Sequence, residues 1–314
     1  MTNQIWPKGL LTALVTPMTG DDVDPSLLDD LLEFQLAAGV SGLIVAGGTG
    51  EYGTLSVEER ARLAGDVVVR VHGRVPVIVQ TGALSTRDAV GLSRAAAESG
   101  ADGLLVASPF GEPINWRERY RFYEEVAAAT ELPIMIYNTP PSGLLNVDQI
   151  AELALLPNVS AIKDSSGDPF HFGDLLEAQL PDGLAVYVGS DSNLYDSVAQ
   201  GATGAVFGSA NFIPQLLVPL IRELQNGGPS ARTAHDWSLL RPFLRFLEDS
   251  DNYIALCKVG LREVGIEVGD VRAPYLTPEE PEETAFAERL GALHRAFRAT
   301  DWSHPRTTRR EGRR

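Results

Sequence analysis

Cysteine and lysine are scarce in this sequence, whose 314 residues include one cysteine and three lysines. The single cysteine, Cys257, excludes an internal disulfide framework and is typical of a reducing compartment. Long apolar runs are also missing, which excludes a membrane-spanning helix. The first residues lack the basic and apolar segments of a signal peptide. We therefore predict a cytoplasmic protein.

Basic residues are fewer than acidic residues in this sequence. Lysine and arginine together number 26 against 42 acidic residues, which gives a formal net charge of −16. An acidic chain repels the phosphate backbone, so the composition excludes nucleic acid as a main partner. It does not exclude a local cationic pocket for a small anion.

Three segments, residues 39–46, 100–107 and 201–208, repeat one pattern. In each, a glycine ends a helical stretch and a second glycine opens an apolar run. Five further apolar runs lie at residues 10–15, 75–80, 134–137, 159–162 and 184–188. Helical patterns separate all eight runs. Eight strands that alternate with helices predict an α/β fold, a (β/α)8 TIM barrel with a parallel sheet.

A break at Gly227, Gly228 and Pro229 ends the alternation. Beyond it the patterns at residues 231–247, 252–264 and 281–298 are helical. We predict a barrel with the catalytic site over residues 1–226, a C-terminal α-helical region over 227–300 and a disordered basic tail over 301–314. We expect the helical region, here called the appendage, to be structural or interfacial.

Lys163 ends one of the apolar runs, where barrels of this kind place catalytic groups. A buried ammonium is costly to desolvate, whereas a neutral amine attacks carbonyl carbons and arginine cannot replace it. The alternative is a structural lysine paired with Asp164 or another acid, and this segment alone does not decide between the two. Tyr137 ends the preceding run, so its hydroxyl is placed to carry protons beside the amine. It could equally be an aromatic residue with a satisfied hydroxyl.

The glycine loop of residues 48–53 matches the G-x-G-x-x-G fingerprint of dinucleotide-binding proteins. The context does not fit, because the next helix starts only at Ser56 and the following run ends without an acid for a ribose. A nicotinamide dehydrogenase is therefore disfavoured. Consecutive backbone N–H groups and the Thr49 hydroxyl favour a small carboxylate instead. A tight turn that binds nothing is the alternative.

Three motifs in order carry a resemblance to a known family. They are Gly-Gly-Thr-Gly-Glu at residues 47–51, Tyr-Asn-Thr-Pro at 137–140 and Ile-Lys-Asp at 162–164. Together they resemble the dihydrodipicolinate synthase / N-acetylneuraminate lyase superfamily, from about residue 10 to 276. The resemblance implies a lyase with class I aldolase-type chemistry on pyruvate or another 2-keto acid, and a homotetramer built as a dimer of dimers. It implies no metal and no organic cofactor.

The resemblance also implies roles for individual residues. Lys163 would form the Schiff base with the keto carbon, and Tyr137 would carry protons to and from the carbinolamine. Thr49 would relay those protons, while the amides of Gly48 and Thr49 would bind the carboxylate of the keto acid. The backbone carbonyl of Val206 would face the Schiff base.

The departures from the family pattern narrow the function. Gly111 stands where dihydrodipicolinate synthases place a tyrosine that reaches the neighbouring subunit. Ser142 stands where they place an arginine for the carboxylate of the aldehyde substrate, and a serine does not replace a bidentate arginine. Ser192 stands where neuraminate lyases usually carry an acid. The functions of a dihydrodipicolinate synthase and of a neuraminate lyase are therefore both disfavoured.

The sequence thus predicts an aldolase or dehydratase that acts on pyruvate or a hydroxylated 2-keto acid, such as a 2-keto-3-deoxy sugar acid. Ser165, Ser190 and Ser209 are candidates to bind its hydroxyls, and the small residues Gly111 and Ser142 would leave room for it. One alternative is 4-hydroxy-tetrahydrodipicolinate synthase, which joins pyruvate and aspartate semialdehyde. Another is a non-catalytic barrel that binds keto acids.

Overall fold

Eight short apolar segments form one closed parallel barrel in the computed structural model, which describes residues 6–181 and 183–297. Each strand pairs with its neighbours along the chain, and the first closes on the last. The strands are β1 (Gly9–Ala13), β2 (Gly42–Val45), β3 (Val77–Gln80), β4 (Gly103–Ala107), β5 (Ile134–Asn138), β6 (Val159–Asp164), β7 (Ala185–Val188) and β8 (Gly204–Phe207). Nearly every strand residue is buried, as expected for a parallel sheet covered on its outer face. The predicted barrel is confirmed.

Helices cover the outside of the barrel. They are α1 (Leu28–Ala38), α2 (Val57–Val71), α3 (Thr86–Glu98), α4 (Trp116–Ala128), α5 (Val147–Leu153), α6 (Pro169–Glu177), α7 (Leu194–Ala199) and α8 (Pro214–Gly227). Local sequence sets their ends. Gly39 ends α1 with a left-handed φ of 79°, which glycine adopts without strain. Ser56 and Glu59 form the capping box that begins α2.

Alternate strand residues point into the barrel, because successive side chains of a strand face opposite sides. Met135 of β5 and Ala161 of β6 belong to the apolar cluster inside the barrel. The residues two positions further on are Tyr137 and Lys163. Both therefore face inward at the carboxyl end of the barrel, where a TIM barrel carries its active site.

The appendage follows as three helices, α9 (Ala231–Glu248), α10 (Tyr253–Glu263) and α11 (Glu280–Ala296). It packs on the barrel through aromatic contacts, in which the ring of Phe212 lies 6.1 Å from that of Phe243 and 5.6 Å from that of Phe286. The exact division at residue 227 stays a prediction, and the predicted tail over 301–314 lies outside the described residues. No helix in residues 6–181 or 183–297 has the length and apolar character needed to cross a bilayer.

Candidate active site

A pocket of about 700 Å³ opens at the carboxyl ends of the strands. This volume lies within the range typical of small-molecule sites. Most of the predicted site residues line it, namely Gly48, Thr49, Tyr137, Lys163, Ser165, Ser190 and Val206. Residues scattered along the sequence are thus brought together where the barrel geometry predicts.

Lys163 and Tyr137 meet across neighbouring strands. They are register partners in the pairing of β5 with β6, and Lys163 Nζ lies 4.5 Å from the centre of the Tyr137 ring. The lysine is only 6% exposed. An amine in this position can reach a carbonyl carbon in the pocket while a phenol lies beside it.

The structure excludes Asp164 as the partner of Lys163. Asp164 faces the other side of the strand, where its carboxylate accepts hydrogen bonds from Asn138 Nδ2 at 2.6 Å and from Ser166 Oγ at 2.6 Å. Throughout residues 6–181 and 183–297, no carboxylate forms an ion pair with Lys163. The structural alternative for this lysine is therefore not supported.

The surroundings of Tyr137 lower the pKa of its hydroxyl. Burial by itself disfavours the phenolate, but the charge of Lys163 and the nearby hydroxyls of Thr139 and Ser165 outweigh it and lower the pKa of Tyr137. The Tyr137 oxygen also lies against Gly48, 3.4 Å from the point that a Cβ there would occupy. A phenol with a lowered pKa gives up its proton more readily, as a proton carrier requires.

The glycine loop leaves two amides available for an anion. Its internal hydrogen bonds run from the amide of Glu51 to the carbonyl of Gly48 at 3.0 Å and from the amide of Tyr52 to the carbonyl of Gly47 at 3.3 Å. The amides of Gly48 and Thr49 take no part in these bonds. They remain candidates to hold the carboxylate of a keto acid.

The appendage holds this loop through a buried ion pair. Glu51, at a left-handed φ of 60° and fully buried, contacts Lys258 Nζ of α10 at 2.7 Å. The Glu51 carboxylate also accepts a hydrogen bond from the amide of Arg272 at 2.8 Å. Lys258 in turn donates to the carbonyl of Asp270 at 2.7 Å. The conformation of the loop therefore depends on residues more than two hundred positions away.

A second polar cluster lies beside β7, and of its members only Ser209 was among the predicted site residues. Asp191 follows β7, and its carboxylate accepts hydrogen bonds from Ser209 Oγ and, at 2.9 Å, from the Tyr253 hydroxyl. Glu248 accepts the amide N–H groups of Asp191 at 2.6 Å and of Ser192 at 3.0 Å. The pocket is lined by Asp191, Glu248 and Tyr253.

Asp191 is held close to the point of ionisation at neutral pH. Burial and the neighbouring charge of Glu248 raise the pKa of Asp191 to about 7, although Ser209, Tyr253 and Lys163 oppose the shift. A carboxyl group with a pKa near 7 can both accept and return protons under physiological conditions.

One expectation needs correction. Ser209 was predicted to bind substrate hydroxyls, but it is fully buried and donates to Asp191 instead of lining the pocket. Gly111 and Ser142 were expected to leave room for the substrate. Neither lines the pocket and Ser142 is 4% exposed, and this expectation stays a prediction. The turn after β5 buries Ser142.

The appendage also does more than the sequence led us to expect, because it supplies part of the pocket wall. Asp191 was detectable as a carboxylate at a strand end. Tyr253 and Glu248 had no local signal, since their hydrogen bonds to Asp191 span 62 and 57 residues of sequence.

The described residues contain no group of three or more His, Cys, Asp or Glu side chains placed to hold a metal ion. The absence of a metal or organic cofactor from the chemistry stays a prediction.

An eight-stranded barrel with a buried amine, a phenol and a glycine loop around one pocket matches the superfamily that the sequence resembles. A family model described as the dihydrodipicolinate synthetase family matches residues 6–293. The chain belongs to this family.

Relatives and solved structures agree with the family. The 4-hydroxy-tetrahydrodipicolinate synthase of Symbiobacterium thermophilum is 38% identical over 288 residues, which cover 90% of this chain and 96% of the relative. The dihydrodipicolinate synthase DapA-2 of Bacillus anthracis has a TM-score of 0.85 at 30% identity, over 91% of this chain and 98% of that one. YagE, a prophage protein of Escherichia coli K12 from the same family solved with pyruvate, has a TM-score of 0.86 at 28% identity, with coverage of 91% and 98%.

Proposed function

We propose that this protein is a lyase that binds a 2-keto acid as a Schiff base on Lys163 and breaks a carbon–carbon or carbon–oxygen bond in it. The observation that carries the proposal is the placement of the Lys163 amine. It is buried in the pocket without an acidic partner among the described residues and lies 4.5 Å from the Tyr137 ring.

The chemistry follows from these groups. The Lys163 amine adds to the keto carbon, and Tyr137 supplies the proton that turns the carbonyl oxygen into a hydroxyl. The Tyr137 oxygen then takes one proton from the nitrogen and passes it to that hydroxyl, which leaves as water. The nitrogen keeps one hydrogen as an iminium, and Tyr137 ends the step as a phenolate. The iminium withdraws electrons, so the neighbouring carbon can lose a proton or release an aldehyde. The amides of Gly48 and Thr49, with the Thr49 hydroxyl, hold the carboxylate of the keto acid.

The substrate class that we favour is a hydroxylated 2-keto acid longer than pyruvate. A pocket of about 700 Å³ leaves space beyond a three-carbon acid bound at Lys163. Ser165, Ser190 and Asp191 line that space with groups that hydrogen-bond hydroxyls. A 2-keto-3-deoxy sugar acid has the matching chemistry.

A second candidate is the reaction that gives the relatives their name, 4-hydroxy-tetrahydrodipicolinate synthesis from pyruvate and aspartate semialdehyde. It is favoured by the relative that is 38% identical over 90% of this chain. It is disfavoured by Ser142, which stands in place of the arginine that the family pattern uses for the second carboxylate. Arg245, which lines the pocket from α9, is the residue to examine for that contact.

Borohydride reduction with pyruvate, followed by intact-mass spectrometry, tests the Schiff base. We expect wild type to gain one reduced pyruvate adduct and Lys163→Ala to gain none. Lys8→Ala is the matched control, because Lys8 is an exposed lysine away from the pocket and its loss should leave the adduct in place. With three lysines in the chain, peptide mapping locates the adduct directly.

Two outcomes decide the proposal. Failure of wild type to form an adduct with pyruvate, or with a panel of larger keto acids, would overturn the mechanism. If the adduct forms, turnover of 2-keto-3-deoxy sugar acids is compared with condensation of pyruvate and aspartate semialdehyde. Faster condensation would replace the favoured substrate class by the second candidate. The homotetramer and the cytoplasmic location stay predictions.

A further inference from the structure

The hydroxyls of Tyr253 and Thr49 both lie close to Gly208, the residue immediately after β8. A Cβ at Gly208 would lie 2.7 Å from the Tyr253 oxygen and 2.9 Å from Thr49 Oγ1. Both hydroxyls therefore surround the same point, and Gly208 lines the pocket together with Thr49 and Tyr253. Tyr253 reaches this position from α10, so the appendage supplies a phenol to the pocket of the same chain.

The Tyr253 hydroxyl is part of a directed chain of hydrogen bonds. It accepts from the amide of Gly208 at 3.1 Å and donates to Asp191 Oδ2 at 2.9 Å. Ser209 donates to the other oxygen of Asp191. A phenol oxygen has a second acceptor site, so Tyr253 can receive a proton while it passes its own to Asp191.

The strand order places the hydrogen bonds of Tyr253 and Asp191 on the opposite side of Lys163 from Tyr137. β6 carries Lys163 and pairs with β5 on one side and β7 on the other. Tyr137 comes from β5, whereas Asp191 follows β7. The amine is thus flanked by two independent groups that can carry protons.

We propose that Tyr253 and Asp191 form a second proton-transfer pair, which removes and returns the proton on the carbon next to the Schiff base. The proposal rests on the proposed Schiff base at Lys163. In this proposal Tyr137 transfers protons at the oxygen that leaves the keto carbon. The Tyr253–Asp191 pair transfers the proton of the carbon next to the keto carbon.

The step balances in atoms and charge. The carbon–hydrogen bond next to the iminium breaks, and its hydrogen bonds to the Tyr253 oxygen as the original phenol hydrogen moves to Asp191 Oδ2. The electron pair of the broken bond forms a carbon–carbon double bond, and the carbon–nitrogen π pair moves to nitrogen. A cationic iminium and an anionic carboxylate become a neutral enamine and a neutral carboxylic acid. The reverse step returns a proton to the same carbon.

The electrostatics of the cluster agree with this role. Asp191 is faced by Glu248 of α9, by Tyr253 and Cys257 of α10 and by Lys163 of β6. Burial and Glu248 raise the pKa of Asp191 to about 7, while burial and the Asp191 charge raise the pKa of Tyr253 well above its usual value. The phenol therefore stays protonated as a conduit, and Asp191 is the group that changes its charge.

Exchange of the methyl hydrogens of pyruvate in D₂O, followed by proton NMR, tests the pair with a substrate that needs no identification. Wild type is compared with Tyr253→Phe and Asp191→Asn, and the borohydride adduct is measured on the same samples. We expect both variants to form the adduct at the wild-type rate but to exchange about a hundredfold more slowly. The wild-type exchange rate should rise as pH passes through about 7, and Asp191→Asn should lose that rise.

Tyr195→Phe is the matched control for a purely structural role. The Tyr195 hydroxyl also joins the barrel to the appendage, at 3.3 Å from Thr233 Oγ1, but Tyr195 does not line the pocket. Its exchange rate should equal that of wild type. Exchange in Tyr253→Phe within twofold of wild type, or adduct formation slowed as much as exchange, would overturn the pair. Absence of the adduct in wild type would instead overturn the Schiff base itself, and with it this inference.

Discussion

Two buried lysines in this chain differ in their surroundings. Lys258 is 3% exposed and contacts the Glu51 carboxylate at 2.7 Å. Lys163 is 6% exposed, and within residues 6–181 and 183–297 it has no ion-pair partner. Burial is therefore almost the same, and the neighbours are what separate the two residues. An amine held in an ion pair stabilises a loop, whereas an amine beside a phenol and an open pocket is available for chemistry.

The contrast predicts opposite consequences when each lysine is removed. Lys163→Met should lower turnover of any accepted keto acid by roughly a thousandfold or more, because the covalent step is lost. Its free energy of unfolding should stay level or rise, since the variant buries an apolar side chain in place of an amine that forms no ion pair within the described residues. Steady-state kinetics and urea unfolding measure the two effects. A strong loss of stability would show that Lys163 is a structural residue after all.

Lys258→Met should destabilise the fold by about 3–5 kcal/mol, because it leaves the Glu51 carboxylate buried without its cation. Urea unfolding measures the loss. The double variant Glu51→Gln/Lys258→Met removes both charges and should recover much of it. If the double variant is no more stable than Lys258→Met, the effect does not come from the ion pair.

Asp191 extends the comparison to the acids, because its hydrogen bonds come from hydroxyls and it forms no ion pair in the described parts of the chain. Its folded-state pKa of about 7 lies above the usual 3.8, so the folded protein binds more protons between these values. The free energy of unfolding should therefore fall as pH rises from about 4 to 7, by a few kilocalories per mole relative to Asp191→Asn. Urea midpoints of both proteins at pH 5 and pH 8 measure this difference. Parallel pH profiles would refute the assignment.

Lys8 completes the series as the smallest effect. It is exposed, and it does not line the pocket. Lys8→Ala should change the free energy of unfolding by about 0.5 kcal/mol or less and leave turnover unchanged. A larger change in either measurement would mean that exposure is a poor guide to the role of a lysine in this chain.

The barrel was predictable because its signals are local. Each of the three glycine repeats contains one complete strand, and the capping box at Ser56 gives the start of α2 within one residue. Lys163 and Tyr137 were predictable for a related reason. In a parallel barrel, the carboxyl ends of all strands lie on the same face. The position of a residue at a strand end in the sequence therefore almost determines its position in space.

The appendage side of the site was not predictable in this way. Tyr253 begins a helix whose sequence pattern has no distinguishing feature. Nothing near it in the sequence indicates that its hydroxyl donates a hydrogen bond to Asp191. The packing of α9 and α10 on the barrel decides that contact, and a helical pattern does not encode a docking angle. Ser209 shows the converse case, because it lies just after a strand end as predicted but donates its hydroxyl to Asp191 and does not line the pocket.

The ties from Glu51 to Lys258 and Arg272 have a consequence for how the protein is made. The Glu51 carboxylate accepts a hydrogen bond from the amide of Arg272, which a ribosome adds to the chain 221 residues after Glu51. A nascent chain that ends after α8 already contains Lys163, Tyr137 and the glycine loop. It lacks the cation that allows Glu51 to be buried, and it lacks Tyr253. The pocket is therefore completed only after residue 272 has been synthesised, and a chain that terminates before it would carry Lys163 without the complete pocket wall around it.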